Sequence, residues 1–195
     1  PQELGLYDNE TIPEPPTLFD DYANRASPAK NQQMSIDKDM TITGLGANLL
    51  AVSGNNASRV FNVSYGVNAT LNKLTIRDGN TGSDGGGGIY SFGALTVTES
   101  ALVNNNAGGT GGGITSLYSS LTVTNSTFSG NTASSYGGGI YVLYGTLAAV
   151  NSTFTANSAN GGGGGGIAAA SSTALVTNTT FAANSAFGGS GVHVL

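Results

Sequence analysis

The chain has 195 residues, of which 31 are glycine and none is cysteine, and its formal net charge is −5. Without cysteine there is neither a disulfide framework nor a thiolate metal site. The absence of an apolar run of about 18 residues predicts no membrane-spanning helix. The six Lys and Arg residues form no basic cluster, which argues against nucleic-acid binding.

The first 40 residues differ in composition from the rest of the chain. They contain eight of the eleven acidic residues and all five prolines, but one glycine, Gly5. This composition predicts an irregular or partly ordered extension. We therefore divide the chain into a Pro/acid-rich extension, residues 1–40, and a second region, residues 41–195.

Part of the extension, PEPPTLFDDYANRASPAKNQQMSIDKDM at residues 13–40, resembles a non-catalytic segment of bacterial sulfatases. The sulfatase nucleophile motif Cys/Ser-x-Pro-x-Arg is absent, since Ser27-Pro28-Ala29-Lys30 does not match it. The metal-binding Asp/Asn/His set of that family cannot be placed either, because His193 is the single histidine. We expect no sulfatase activity from this chain.

The second region contains an internal repeat. Its clearest copies are NSTFSGNTASSYGGGIY from Asn125, NSTFTANSANGGGGGGIA from Asn151 and NTTFAANSAFGGSGVH from Asn178. A first apolar anchor recurs with spacings of 26, 26, 26 and 27 residues, at Ile76, Leu102, Phe128, Phe154 and Phe181. A second anchor follows the glycines, at Ile89, Ile114, Ile140, Ile167 and Val192. Such self-similarity at a fixed period indicates a repeat architecture.

Each copy has the pattern of short strands. Leu121-Thr-Val123-Thr alternates apolar and polar residues, as a strand with one buried face does. No copy offers ten or more glycine-free residues with a helical period, which excludes a helix. Short strands that stack on identical neighbours form an all-β parallel solenoid. Residues 41–65 read as a looser first coil, which makes about six coils, each adding about 4.8 Å to the axis.

Asparagines occupy two columns of the repeat. The members of the first column follow the anchor by three residues and are Asn105, Asn131, Asn157 and Asn184. Those of the second column precede it by three and are Asn125, Asn151 and Asn178, with Glu99 and Lys73 in the earlier copies. We expect both columns to form structural ladders of hydrogen-bonded amides.

The tetrads FSGN, FTAN and FAAN, followed by GGGI, resemble the repeats of polymorphic outer membrane proteins over residues 41–195. The resemblance implies a single-stranded right-handed parallel β-helix of pectin lyase-like fold. It also implies adhesion and an extracellular or outer cell-surface location in a bacterium.

Four tyrosines are candidates for stacking on sugar rings. Tyr90 and Tyr141 share the column directly after the second anchor, and Tyr118 and Tyr144 share another. An outward tyrosine has an apolar face and a polar tip, which suit a glycan. The alternative is that these tyrosines are scattered surface residues that pack on adjacent coils.

The sequence offers few groups for catalysis or metal binding. Asp78 and Asp84 share one turn and are the candidates for a Ca²⁺ site or a catalytic pair, with solvated turn residues as the alternative. His193 stands alone, without a partner for catalysis or metal binding. We expect neither a catalytic constellation nor a cofactor.

These observations favour a non-catalytic structural or adhesive β-solenoid, a fragment of a bacterial cell-surface or secreted protein. Its expected partners are surface glycans or proteins of a host or neighbouring cell, and it is expected to be a monomer or to associate end to end. The alternative is a carbohydrate-binding or carbohydrate-active module, linked to a lyase, hydrolase or sulfatase, with its catalytic residues outside this chain.

Overall fold

A computed structural model describes residues 33–195, and this part of the chain consists of short strands and turns. The strands are β1 Met34–Ile36, β2 Met40–Thr43, β3 Ala51–Ser53, β4 Phe61–Val63, β5 Asn68–Asn72, β6 Thr75–Arg77, β7 Ile89–Ser91, β8 Ala94–Thr98, β9 Ala101–Val103, β10 Asn106–Ala107, β11 Ile114–Leu117, β12 Ser120–Thr124, β13 Thr127–Ser129, β14 Thr132–Ala133, β15 Ile140–Leu143, β16 Thr146–Val150, β17 Thr153–Thr155, β18 Ser158–Gly163, β19 Ile167–Ala170, β20 Thr173–Thr177, β21 Thr180–Ala182, β22 Ser185–Gly188 and β23 Val192–Val194. Within the described range no helix is long and apolar enough to cross a membrane.

The strands form four parallel sheets that run along the molecule. One sheet has seven strands in the order β1-β4-β7-β11-β15-β19-β23, and two have six, β2-β5-β8-β12-β16-β20 and β3-β6-β9-β13-β17-β21. The fourth, β10-β14-β18-β22, joins the later coils. Each strand pairs with strands from the coils before and after its own, so the chain winds into a parallel β-solenoid of about six coils. The predicted all-β parallel fold is confirmed.

Both apolar anchors stack in register from coil to coil. Phe128 pairs with Leu102 on one side and with Phe154 on the other. The ring centroids of Phe128 and Phe154 are 4.6 Å apart, and those of Phe154 and Phe181 are 5.1 Å apart. The second anchor pairs in the same way along β7, β11, β15, β19 and β23. The predicted vertical alignment of the repeats is confirmed.

The interior is filled by the alternate residues of each strand. In β12, Leu121 and Val123 are buried while the threonines between and after them are half-buried. Full burial of such a side chain contributes about 1.5–3 kcal/mol. One continuous cluster runs from Ile36 to Ile167, with Phe181 packed against it. The repeat therefore specifies a single core along the axis.

The solenoid begins before residue 41. Met34 pairs with Phe61, and the buried Ile36 pairs with Val63. The end of the predicted extension is thus a strand of the seven-stranded sheet, because its backbone continues the ladder. A three-residue strand is too short for its alternation to be recognised in the sequence. Residues 1–32, with most of the sulfatase-like segment and of the expected irregular extension, lie outside the described residues.

The first asparagine column forms a buried hydrogen-bonded row. The Nδ2 of Asn131 donates to the Oδ1 of Asn157 at 2.9 Å and to the carbonyl oxygen of Leu102 at 2.9 Å. Its Oδ1 accepts from the backbone N–H and the Nδ2 of Asn105, at 3.0 and 2.9 Å. Asn157 and Asn184 repeat these contacts one coil further on. The row satisfies the polar backbone groups of a turn that lies inside the protein.

The second asparagine column does not form a ladder. Asn125, Asn151 and Asn178 are exposed and have φ of 51°, 50° and 47°. In the part of the chain that the structure describes, their side-chain amides make no hydrogen bond. Asparagine tolerates the left-handed region better than most residues, and this conformation turns the side chain towards solvent. The column is a row of turn residues, so the expected ladder is corrected here.

A hydroxyl row, absent from the sequence prediction, occupies the position next to this column. Its members are Ser100, Ser126, Ser152 and Thr179. The Oγ of Ser126 donates to the carbonyl oxygen of Thr124 at 2.8 Å and accepts from the N–H of Ser100 at 3.2 Å. The three serines are buried. These hydroxyls provide hydrogen-bond partners for backbone N–H and carbonyl groups at a second turn, as the asparagines do at the first.

Glycine is required where the backbones of successive coils meet. At Gly138 an added Cβ would lie 2.5 Å from the carbonyl oxygen of Gly165 and 2.6 Å from the backbone nitrogen of Ser158. Both obstacles are backbone atoms, which cannot rotate away. The GGG segment therefore marks a close approach of two successive coils.

We expect Asn131→Ala to lower the free energy of unfolding by about 1–3 kcal/mol, because the backbone N–H and one Nδ2–H of the buried Asn105 lose their partner. Denaturant-induced unfolding measures the loss. The control is Asn106→Ala, which removes an exposed amide and should change stability by no more than about 0.5 kcal/mol. Equal stability of the two variants would contradict a stabilising role for the row.

Gly138→Ala should destabilise the protein more than Gly82→Ala. At Gly82 no atom of residues 33–195 lies within 4 Å of an added Cβ, and its φ of +58° adds only the strain of the left-handed region, about 1–2 kcal/mol. At Gly138 the coils must separate to admit a methyl group. Thermal unfolding of both variants tests the difference, and a Gly138→Ala protein as stable as Gly82→Ala would refute the close approach.

Candidate functional site

A row of side chains on the seven-stranded sheet follows the buried isoleucines by one residue; in it Thr115 and Ala168 are buried and the tyrosines and His193 reach the surface. Strand register aligns it over five coils, and its members are Tyr90, Thr115, Tyr141, Ala168 and His193. The two tyrosines are half-buried and two coils apart, which corresponds to about 10 Å along the axis. Thr115 separates them, so the predicted column exists but its tyrosines are not direct neighbours.

The first end of this row is held by a cation. The guanidinium carbon of Arg59 lies 4.8 Å from the ring centroid of Tyr90, and Phe92 packs edge-on against the same ring at 5.1 Å. Arg59 also donates to the carbonyl oxygens of Gly85 and Gly86, both at 3.0 Å. Burial lowers the pKa of Arg59 and raises the pKa of Tyr90. These contacts fix Tyr90 in place.

The other end of the row gains a ring that the sequence analysis did not single out. Tyr136 lies 6.4 Å from Tyr141 and 6.5 Å from His193, measured between ring centroids. Its ring packs against the backbone of Gly162, which has no side chain to displace it. Tyr136 has no counterpart in the other copies of the repeat, so periodicity could not place it. His193, expected to stand alone, is part of this aromatic group.

Tyr118 and Tyr144 form a stacked pair at the corner that follows the same sheet. Their ring centroids are 5.4 Å apart with an interplanar angle of 20°. The two residues are 58% and 56% exposed, and their φ angles are 56° and 51°. Burial is the main cause of the raised pKa of Tyr141, and the neighbouring Tyr136 and Tyr144 add to it. The pair thus lies beside the row of Tyr90 and Tyr141.

The side chains of these two sets make up one aromatic face, which we call the tyrosine surface. It comprises Tyr90, Tyr118, Tyr136, Tyr141, Tyr144 and His193. The four tyrosines singled out from the sequence all belong to it. From Ser100 to Leu195 the sequence contains no Asp, Glu, Lys or Arg, so most of this surface carries no formal charge at neutral pH.

The carboxylates singled out from the sequence lie beside cations. Asp78 accepts a hydrogen bond from the Oγ of Ser53 at 3.3 Å and lies 3.5 Å from the Nε of Arg77. Asp84 lies 3.7 Å from a guanidinium nitrogen of Arg59. Within residues 33–195 there is no group of three or more His, Cys, Asp or Glu side chains that could hold a metal ion. The arrangement gives these two aspartates the role of ion-pair partners at turns.

Comparison with known proteins gives one partial similarity. A stretch of 41 residues is 46% identical to N-acetylglucosamine-6-O-sulfatase of Bacteroides thetaiotaomicron. It covers 21% of this chain and 7% of that protein, so the similarity is confined to a short segment. No protein-family model matches the chain, and no solved structure matches it.

Proposed function

We propose that this chain is a non-catalytic adhesive β-solenoid that binds glycans through the tyrosine surface. The observation that carries the proposal is the exposed, stacked pair Tyr118 and Tyr144. A tyrosine offers an apolar ring face to the C–H face of a sugar and a hydroxyl to its polar groups. Because parallel coils hold both rings, the surface is pre-organised and loses little side-chain entropy on binding.

The corner that Tyr118 and Tyr144 occupy has a positive φ in both coils. A positive φ is uncommon for a bulky residue and costs about 1–2 kcal/mol relative to glycine. Stacking of the rings of Tyr118 and Tyr144 returns about 0.5–1.5 kcal/mol. The corner position in the next coil is Ser171, with a φ of 47°, so the fold does not require tyrosine there. The choice of tyrosine at this corner, not the backbone angle, therefore supports a role beyond folding.

The charge distribution favours adhesion over catalysis. Hydrolysis or elimination on a polysaccharide needs carboxylates in acid and base roles beside the bound sugar. Asp78 and Asp84 instead face arginines, and Glu99 lies 3.8 Å from Lys73. The tyrosine surface also has no acidic side chain among its members. These features support binding without chemistry.

The location at an outer cell surface or in the extracellular medium belongs to the same proposal. It is supported by the resemblance of the repeats to polymorphic outer membrane proteins, which are surface-exposed adhesins. Binding to surface glycans of a neighbouring cell would give the solenoid its adhesive role.

A second candidate is a module within a larger carbohydrate-active protein, whose catalytic residues lie outside this chain. The similarity of 41 residues to a sulfatase named for N-acetylglucosamine favours it. In that case the tyrosine surface would bind the polysaccharide on which the other part acts. Both candidates give this surface the same ligand class.

A glycan array of neutral and acidic polysaccharides tests the proposal on the full chain. We expect binding to a subset of glycans and loss of that signal by at least about tenfold in the double variant Tyr118→Ala/Tyr144→Ala, because both stacking faces are removed. Phe187→Ala is the matched control, since this ring is 90% exposed but lies on β22, in a different sheet. Absence of binding across the array, or equal binding by the double variant, would contradict the proposal.

A further inference from the structure

The tyrosine stack ends where the third coil has a serine. The N–H groups of Tyr118, Tyr144 and Ser171 make equivalent hydrogen bonds to the following coil, to Leu143, Ala170 and Leu195 at 2.9, 3.2 and 3.1 Å. All three residues have φ near 50°. They therefore occupy the same corner in successive coils. Tyr118 covers one face of the Tyr144 ring. On the other side the equivalent corner residue is Ser171, which has no ring to cover it.

The place of the missing ring is an open recess of about 670 Å³. It is lined by Tyr144, Gly145, Thr146, Ser171, Ser172, Thr173 and Leu195. Tyr144 contributes an aromatic ring to this lining, and four of the other residues carry hydroxyls, with Gly145 and Leu195 completing it. The recess thus combines an apolar plane with polar edges.

Three hydroxyls of the recess are free to bind a ligand. Thr146, Ser171 and Thr173 are exposed. Their side-chain oxygens make no hydrogen bond with the protein in the described part of the chain. Ser172 is different, because its Oγ donates to the carbonyl of Ala170 at 2.7 Å and accepts from the N–H of Gly145 at 3.1 Å. The three free hydroxyls are suited to a ligand that carries several hydroxyls of its own.

We infer that the recess is a subsite for one neutral pyranose ring, which stacks on Tyr144 in the coil where Ser171 replaces tyrosine. The C–H face of the sugar takes the place of a third aromatic ring, and its hydroxyls reach Thr146, Ser171 and Thr173. Among the described residues that line the recess there is no Lys, Arg or His, and the chain carries a net charge of −5, so the recess does not favour a sulfated or uronic sugar. This inference rests on the proposed glycan-binding function and specifies where and what it binds.

Ser171→Tyr tests the subsite directly. The corner already accepts tyrosine in two preceding coils at the same φ, so the third ring should complete the stack, fill the recess and leave the fold intact. A melting temperature equal to or above that of the original protein verifies the fold. Ser171→Ala is the comparison at the same position, because it removes one hydroxyl and keeps the recess open, and Phe187→Ala is the control outside the recess.

Titration calorimetry with two neutral tetrasaccharides, of N-acetylglucosamine and of glucose, and with their 6-O-sulfated counterparts gives the readout. We expect at least one neutral tetrasaccharide to bind the original protein and the sulfated forms to bind at least about tenfold more weakly. Ser171→Tyr and Tyr144→Ala should abolish binding. Ser171→Ala should weaken it by no more than about tenfold, since it removes one exposed hydrogen bond, and Phe187→Ala should leave it unchanged.

The outcomes separate this inference from the proposed function. Undiminished binding by Ser171→Tyr would overturn the subsite but keep glycan binding by the tyrosine surface. Equal affinity for sulfated and neutral sugars would overturn its selectivity for a neutral ring. Failure of the original protein to bind either neutral tetrasaccharide would overturn the subsite, and silence across the polysaccharide array as well would overturn the proposed function.

Discussion

Hydrogen bonding between successive coils is the constraint on which the rest of this structure depends. A coil as narrow as this one encloses backbone groups at its turns, and a buried polar group without a partner costs about 1–3 kcal/mol. The asparagine row and the hydroxyl row supply those partners from the neighbouring coil, one side chain per turn. The partner lies about 26 residues away in sequence. The hydrogen bonds between coils therefore require a constant number of residues per coil, as the stacking of the apolar core does.

The two turns need different numbers of hydrogen bonds, which explains why one keeps asparagine and the other keeps serine or threonine from coil to coil. The amide of Asn131 has two donors and an acceptor with two lone pairs, and the structure uses both donors and the acceptor twice. The hydroxyl of Ser126 bridges one donor, the N–H of Ser100, and one acceptor, the carbonyl of Thr124. Replacement of either type by the other would leave a group unpaired or crowd the turn.

The sequence predicted those parts of the fold that repeat and are buried. The two apolar anchors, the alternating strands and the first asparagine column all recur in one register from copy to copy. The second asparagine column shows the limit of this reasoning. Periodicity identifies Asn125 and Asn151 as neighbours in space, but only the backbone dihedrals reveal that both turn outwards. The hydroxyl row lies next to them, and serine is common enough in this chain to hide it.

The tyrosine surface was predictable in part for the same reason. Tyr118 and Tyr144 share a register, so their proximity could be derived from the spacing of the repeats. Tyr136 lies in a glycine-rich segment whose length differs between copies, and no register could connect it with His193. The recess beside Tyr144 exists because the following coil has a serine, Ser171, at the corner where the two preceding coils have tyrosine. This difference is recognised only when the corner positions of successive coils are aligned in the structure.

A scaffold of this kind separates the residues that fold it from those that face outwards. The inward side chains and the two polar rows are bound to their counterparts in the next coil, so they vary little from copy to copy. The positions next to the isoleucines of the seven-stranded sheet read Tyr90, Thr115 and Tyr141 in three successive coils without disturbing those isoleucines. Each coil adds about 4.8 Å to the axis and one position to every outward row. A change in one outward residue, as at Ser171, can therefore open or close a recess while the ladder beneath it stays unchanged.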